Sequence, residues 1–354
     1  MPVAAPPPSL ADIAAAVEAR LRTVLDAETT RWAAFDEDLL APLEQIARLV
    51  LGGGKRLRPS FCHWGFVGAG GQPDDPRIVN VGAALELMHA FALFHDDVMD
   101  DAVSRRGTPT THTVFADLHA TAGWAGESRR FGEGVAILVG DLAFVMADAL
   151  LLDAPSDAWA IWNELRTELN IGQLLDILGS VRGDRRLDKA ERIGRYKSGK
   201  YTVERPLHLG AVLAAPDRAA ELLPALSAYG LPLGDAFQMR DDVMGAFGDE
   251  GVTGKPVGGD LREGKPTPLL ARAVAAATPA QRSVLDRVGA ADLGDGDIAA
   301  IQQVIIDTGA LAALEAQIAS LTEQAVASIE TAPITETSRA ELIALAHYVS
   351  WRNV

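Results

Sequence analysis

Apolar residues recur every three or four positions along most of this chain, and the alternation expected of half-buried strands is essentially missing. The pattern predicts amphipathic helices over about 10–36, 38–51, 57–68, 77–99, 132–152, 156–181, 188–213, 218–247, 266–276, 297–328 and 335–351, divided by short Gly and Pro punctuation. Ala and Leu predominate and β-branched runs are scarce, so composition favours the same all-α class. Residues 1–9 are rich in Pro and Ala and read as a disordered tail, lacking the basic start and long apolar core of a signal peptide. Nothing in 10–354 resembles an interdomain linker or a short repeat, so one helical domain is expected there. No run of 18 or more residues stays apolar, and no transmembrane helix is expected.

Charge changes the picture. Two acidic clusters, Asp96-Asp97-Val98-Met99-Asp100-Asp101 and Arg240-Asp241-Asp242, each close a long apolar helical stretch. Carboxylates at a helix C-terminus oppose the dipole there, so such crowding is costly unless a cation offsets it. Asp96 and Asp100 are i and i+4, share a face, and can hold hard cations between them. His89, two turns before Asp96, points the same way. Two such acidic faces turned toward each other suit Mg²⁺ and a polyanionic substrate, best a diphosphate. The net charge of −16 in 354 residues argues against a nucleic-acid partner. Cys62 is alone, which excludes a disulfide framework and fits a reducing cytoplasm.

Three loops carry the basic residues that a diphosphate needs. Gly54-Lys55-Arg56-Leu57-Arg58-Pro59 sets three cations at a helix start, a position favourable only with an anion present. Arg105-Arg106 follows the first acidic cluster, where guanidinium groups can grip phosphate oxygens in pairs. The glycine-rich stretch 249–266 carries Lys255 and Lys265. Gln173 with Asp176, Gln238 with Asp241, and Tyr196-Lys197-Ser198 gain meaning only if they converge on the same cavity. Gly245 stands at the i+4 position from Asp241, so the second wall should supply fewer ligands than the first.

Together these segments resemble the trans-isoprenyl diphosphate synthases, the polyprenyl synthetase family, and most closely its bacterial geranylgeranyl type. The resemblance runs from about Gly52 to Pro268 with the motifs in family order: Gly53 to Pro59, His95 to Asp101 with Arg105 to Pro109, Gly172 to Asp176, Tyr196 to Gly199, and Phe237 to Asp242 with Gly254-Lys255-Pro256 and Asp260. It implies an isoprenoid synthase fold, helices around a deep central cavity, as a homodimer. By the resemblance, Lys55, Arg58, His89 and Arg106 would hold isopentenyl diphosphate. Arg105, Lys197, Ser198, Gln238, Lys255 and Lys265 would bind an allylic diphosphate. Asp96, Asp97 and Asp100 would hold Mg²⁺ from one wall and Asp241 from the other. Gly245 departs from the family's full DDxxD form, and the final residues 351–354 would help to close the site.

The implied chemistry is electrophilic alkylation, in which a cationic environment draws pyrophosphate off an allylic carbon and the double bond of isopentenyl diphosphate attacks. In this family the fifth and fourth residues before the first Asp set product length, here Phe91 and Ala92, which points to a twenty-carbon product. On a helical wheel Ala92 lies about 40° from Asp96 and Phe91 about 140° away. Two rivals use overlapping features. A class I terpene cyclase shares the fold, and Asp241, Gly245 and Asp249 echo its second metal motif, but it has no use for Lys55, Arg58 and Arg106. A non-catalytic subunit of a heteromeric synthase would not need both acidic motifs intact.

Overall fold

The computed structural model describes residues 5–248 and 258–351, and α-helix dominates them. The first half comprises α1 (Ser9–Ala33), α2 (Leu40–Leu51), α3 (Leu57–Gly68), α4 (Pro76–Met99), α5 (Thr111–Ala122), α6 (Ser128–Ala149) and α7 (Ser156–Arg182). A continuous rod follows: α8 (Leu187–Gly194), a π-helix (Arg195–Glu204) and α9 (Arg205–Ala214). Next come α10 (Ala219–Phe247) and the short α11 (Gly259–Glu263). The first helix begins inside the expected tail: Pro7 is buried, and Ser9 Oγ donates to Glu341 at 2.6 Å.

α4 is the axis of the main core. Asp75 caps it by accepting from the Arg77 N–H, and Pro76 begins it with φ already set for a helix. Ile78, Val81, Ala84, Leu87 and Met88 are buried on several sides of it, the mark of a helix surrounded by others. By length and composition alone α4 is apolar enough to cross a membrane. Yet 67% of its apolar window is buried inside the structure, so its hydrophobicity is used by the core. α3 and α9 meet at backbone distance, since a Cβ on Gly65 would lie 2.3 Å from the Leu207 carbonyl oxygen. A second apolar cluster gathers the end of α10 with the helices Pro268–Ala276, Asp295–Asp307 and Ala310–Glu330.

Most predicted helices occur within a few residues of their expected limits, with informative exceptions. The stretch 297–328 is two helices, Asp295–Asp307 and Ala310–Glu330, bent by 63°. Gly309 between them adopts φ 75°, a conformation that ends a helix. α5 was not predicted, because its buried residues are Thr111, His112, Phe115 and His119, which give weak apolar periodicity. The helix Pro279–Leu285 and α11 are too short to register. A two-residue hairpin, Ser104–Arg105 with Thr108–Pro109, interrupts the helices; Arg106 and Gly107 turn it with φ of 52° and 72°. Both turn residues at positive φ match the handedness of a tight hairpin.

Behind the π-helix lies a buried polar network. Lys200 pairs with Glu168 of α7, and Arg205 reaches the same carboxylate at 2.7 Å. Ser227 of α10 donates to Glu204 at 2.7 Å, and Arg205 donates to His208 Nδ1 at 3.3 Å. These bonds tie α7, α9 and α10 to the π-helix and thereby fix the side chains on its opposite face. Burial depresses the His208 pKa to about 4, with Arg205 adding to the effect and Glu204 opposing it. His208 therefore folds neutral while the unfolded chain titrates near 6.5. Its contribution to stability is complete above that value and is lost as pH falls toward 4, on the order of 3 kcal/mol in all. Urea unfolding across pH 6.5 to 4 should therefore show a flatter decline for His208→Gln than for the wild type. Parallel curves would mean that His208 does not titrate in this window.

Candidate active site

A cavity of about 750 Å³ opens between the C-terminal ends of α4 and α10, with α3 and the π-helix completing its sides. Asp96 and Asp241 both line it, so the two acidic clusters face one hollow. Lys55, Arg58, His89, Arg106, Lys197, Ser198, Gln238 and Lys265 line it as well. Lys255 and Asp249, together with Arg352, Asn353 and Val354, lie outside the described residues.

On the α4 wall, each carboxylate faces a cation. Asp96 accepts from Lys197 Nζ at 3.0 Å and from Gln173 Nε2 at 2.9 Å. Lys197 also pairs with Asp176 at 2.5 Å. These contacts require close backbones: a Cβ on Gly172 would lie 2.2 Å from the Lys197 nitrogen. Burial opposes ionisation of Asp96, but Lys197, Lys265 and Arg105 outweigh it and hold the pKa down to about 2. Burial and the neighbouring Asp96 charge push Asp100 up to about 6, although Lys265 pulls the other way. Asp97, expected as a metal ligand, is paired with Arg105 in this structure. One residue on from Asp96 it faces about 100° away, and Arg105 Nε takes its carboxylate at 2.7 Å. Asp97 thereby holds Arg105 against the wall.

On the opposite wall Gln238 donates to Asp242 at 2.8 Å. Arg240 turns away to Glu315 and to the Ser350 carbonyl, anchoring α10 to the chain's last helix, Glu336–Ser350. Asp242 is buried and its Oδ2 has no hydrogen-bond partner among the described residues. Burial, reinforced by Asp260, drives its pKa well above the ordinary carboxylate value. Asp260, from α11, also lines the cavity. Lys265 Nζ lies between the walls, 3.6 Å from Asp100 Oδ2 and 3.7 Å from Asp260 Oδ1. Burial disfavours its charge, but Asp260, Glu263 and Asp100 raise its pKa far more.

Among the described residues no three acidic, His or Cys side chains converge closely enough to enclose an ion unaided. The donors are nevertheless all carboxylate oxygens, one of them orphaned and others crowded enough to resist ionising, which fits a hard divalent cation. Phosphate oxygens and water would have to complete its shell.

The third part is basic and separate. Arg56, in the left-handed region with φ 48°, turns inward to Glu86 at 2.5 Å and to the Val50 carbonyl at 2.6 Å. Its neighbours Lys55 and Arg58 thereby face the cavity. Arg106 donates to the Gly53 carbonyl at 2.9 Å, joining the hairpin to this glycine loop. Tyr201 hydrogen-bonds Arg58 and lies 3.0 Å from His89 Nδ1. Burial, with Arg58 and Arg106 nearby, keeps His89 neutral by lowering its pKa well below the usual value.

Sequence reading missed Tyr201, although it lies one turn beyond Lys197, and Asp260, which it quoted only as part of a motif. Phe91 and Ala92 are half-buried and do not line this cavity. The Phe91 ring packs against Phe144 of α6 and against His95, at centroid distances of 4.6 Å each. It stands on the flank of α4, as its wheel position indicated.

Similarity to known proteins agrees with this geometry. Residues 41–305 match the polyprenyl synthetase family. A geranylfarnesyl diphosphate synthase of Aeropyrum pernix is 32% identical over 308 residues, covering 84% of this chain and 89% of that protein. A geranylgeranyl diphosphate synthase of Mycobacterium tuberculosis is 36% identical over 224 residues, 62% of this chain and 58% of that protein. The crystal structure of a Corynebacterium glutamicum geranylgeranyl pyrophosphate synthase, complexed with isoprenyl diphosphate and magnesium, superposes with a TM-score of 0.89. It is 37% identical and covers 95% of this chain and 97% of its own. With its acidic walls and basic pocket assembled on that fold, the chain belongs to the polyprenyl synthetase family.

Proposed function

We propose that this chain condenses isopentenyl diphosphate with an allylic diphosphate, head to tail, to form a short-chain prenyl diphosphate with the help of several Mg²⁺ ions. One observation carries the reading: a single cavity joins two facing acidic walls to a distinct basic pocket, as two diphosphate substrates require. Asp96, Asp100 and Asp241 would hold Mg²⁺. When bound, the metal neutralises diphosphate charge and favours departure of pyrophosphate. Lys197, Arg105 and Lys265 place positive charge where the leaving oxygens gain negative charge, and the hydrogen-bonding groups of Ser198 and Gln238 belong to the same half; by the family resemblance Lys255 would bind the same diphosphate. Lys55, Arg58 and Arg106, with neutral His89 as a hydrogen-bonding partner, hold isopentenyl diphosphate and present its double bond to the allylic carbon. A proton then leaves the new alkyl cation, with released pyrophosphate as the nearby base. Fixing both reactants supplies the proximity that free solution lacks and keeps water from intercepting the cation.

The cyclase reading is not favoured, because the basic pocket of Lys55, Arg58, His89 and Arg106 would serve no substrate in it. The non-catalytic subunit is not favoured either, since both acidic walls face the cavity. Relatives of about 32% identity carry names for farnesyl and geranylfarnesyl products alike, so that level of similarity does not set product length. We assign geranylgeranyl diphosphate as product on small Ala92 beside aromatic Phe91. A cytoplasmic homodimer of single-domain chains completes the reading. Exposed Leu138, Leu142 and Val145 on α6, with Leu174, Leu178 and Val181 on α7, form apolar faces that suit a second copy.

Incubation with isopentenyl diphosphate, Mg²⁺ and each short allylic primer, followed by chromatography of the dephosphorylated alcohols, tests the reaction directly. Cyclic hydrocarbon from an allylic diphosphate alone would favour the cyclase instead. Arg58→Ala should raise KM for isopentenyl diphosphate roughly 10- to 100-fold, the worth of a charge-assisted contact, while leaving KM for the primer near wild type. Equal increases for both substrates would refute separate pockets. Ala92→Phe should shift the product toward a shorter alcohol, and an unchanged chain length would remove Ala92 as a determinant of product length.

A further inference from the structure

Gly245 leaves the α10 wall one carboxylate short of the full DDxxD pattern, yet the space beside it is occupied. A Cβ built on Gly245 would lie 2.0 Å from Asp260 Oδ2 and 2.4 Å from Asp260 Cγ. The Asp260 carboxylate therefore fills the volume that a side chain at 245 would need. It arrives there from α11, the next described helix after α10. A glycine at 245 is thus a notch, and any larger residue would displace Asp260.

The surroundings indicate what the notch serves. Asp242, 4% exposed and lining the same cavity, keeps Oδ2 without a hydrogen-bond partner among the described residues. An acid with an unpartnered oxygen beside a second acid is an expensive arrangement in a buried site unless a cation joins them. Lys265 contacts Asp260 on one side and Asp100 of the opposite wall on the other, so Asp260 already faces the gap between the walls. Asp241 lies on the same lining.

We propose that Asp260 is the second carboxylate ligand of the α10 wall, delivered through the Gly245 notch in place of a ligand at position 245. The assignment rests on the magnesium-diphosphate reading of the cavity. Among the described residues no three side chains enclose an ion alone, so diphosphate oxygens would complete the shell.

The test is Mn²⁺ uptake by the full chain in the presence of inorganic pyrophosphate, followed through loss of the free-ion electron paramagnetic resonance signal. Asp260→Asn should bind the ion on this wall roughly tenfold more weakly or worse, given that even outer ligand partners have effects of that size. Asp260→Asn both relieves repulsion with Asp242 and loses the pairing with Lys265, so the stability readout is the rise in melting temperature on adding Mn²⁺ with pyrophosphate, which should shrink relative to wild type. The swap Gly245→Asp with Asp260→Gly returns a carboxylate to the same volume and should regain uptake to within about threefold of wild type, less than the loss expected of a missing ligand partner. Uptake by Asp260→Asn equal to wild type would overturn the assignment while leaving prenyl transfer standing. A folded swap variant that fails to regain uptake would overturn it as well. Normal Asp260-dependent uptake in a wild type that makes no prenyl product would instead sink the transfer reading and leave the ligand in place.

Discussion

Mutual repulsion among carboxylates is the constraint around which this molecule is arranged. Asp96, Asp100, Asp241, Asp242 and Asp260 are gathered at one end of a helical bundle, several of them largely buried. Like charges in such surroundings resist ionisation unless opposite charge is close by. In the free chain the opposing charge comes from protein cations. Lys197 and Arg105 hold down Asp96, while Lys265 spans from Asp100 to Asp260. The balance is incomplete, since Asp100 and Asp242 still have raised pKa values. An acidic site left partly uncompensated attracts divalent cations, and the same lysines are then available to phosphate oxygens.

Maintaining that balance demands rigid supports. The π-helix is fastened from behind by Glu168, Glu204, Arg205 and Ser227, which leaves Lys197 and Tyr201 directed into the cavity. Left-handed backbone occurs at Arg56 and Arg106, which line the site, and at Asp101, which ends the first acidic cluster. For residues with a side chain such conformations are unfavourable and persist only where neighbouring contacts dictate them. Arg56 is so dictated, by Glu86 and Val50; it sacrifices its own charge to the interior and aims Lys55 and Arg58 outward. Membership of the polyprenyl synthetase family therefore rests here on an arrangement in which supporting contacts and ligand-facing groups alternate along the same short segments.

Much of this was legible in the chain. Period-3.6 apolar spacing set the helices, because burial of one face dictates it locally. The i,i+4 relation of Asp96 and Asp100, and the seven-residue step back to His89, placed those groups on one side of α4 without further information. Intrahelical geometry depends only on residue number, so such inferences carry over directly. The helical wheel was equally sound for Phe91, whose ring does pack on the flank against Phe144.

What the sequence by itself determined was thus the all-α class, the two acidic helix ends and the inventory of cations available to them. Tertiary structure alone decided partnership: that Asp97 turns to Arg105, that Arg56 serves Glu86, and that Gln238 serves Asp242. It also decided that the place beside Gly245 is filled from another helix. The physical reason is range. Helix periodicity acts over a few residues, whereas the choice of counter-charge follows from which backbones approach within a few ångströms after the helices have packed.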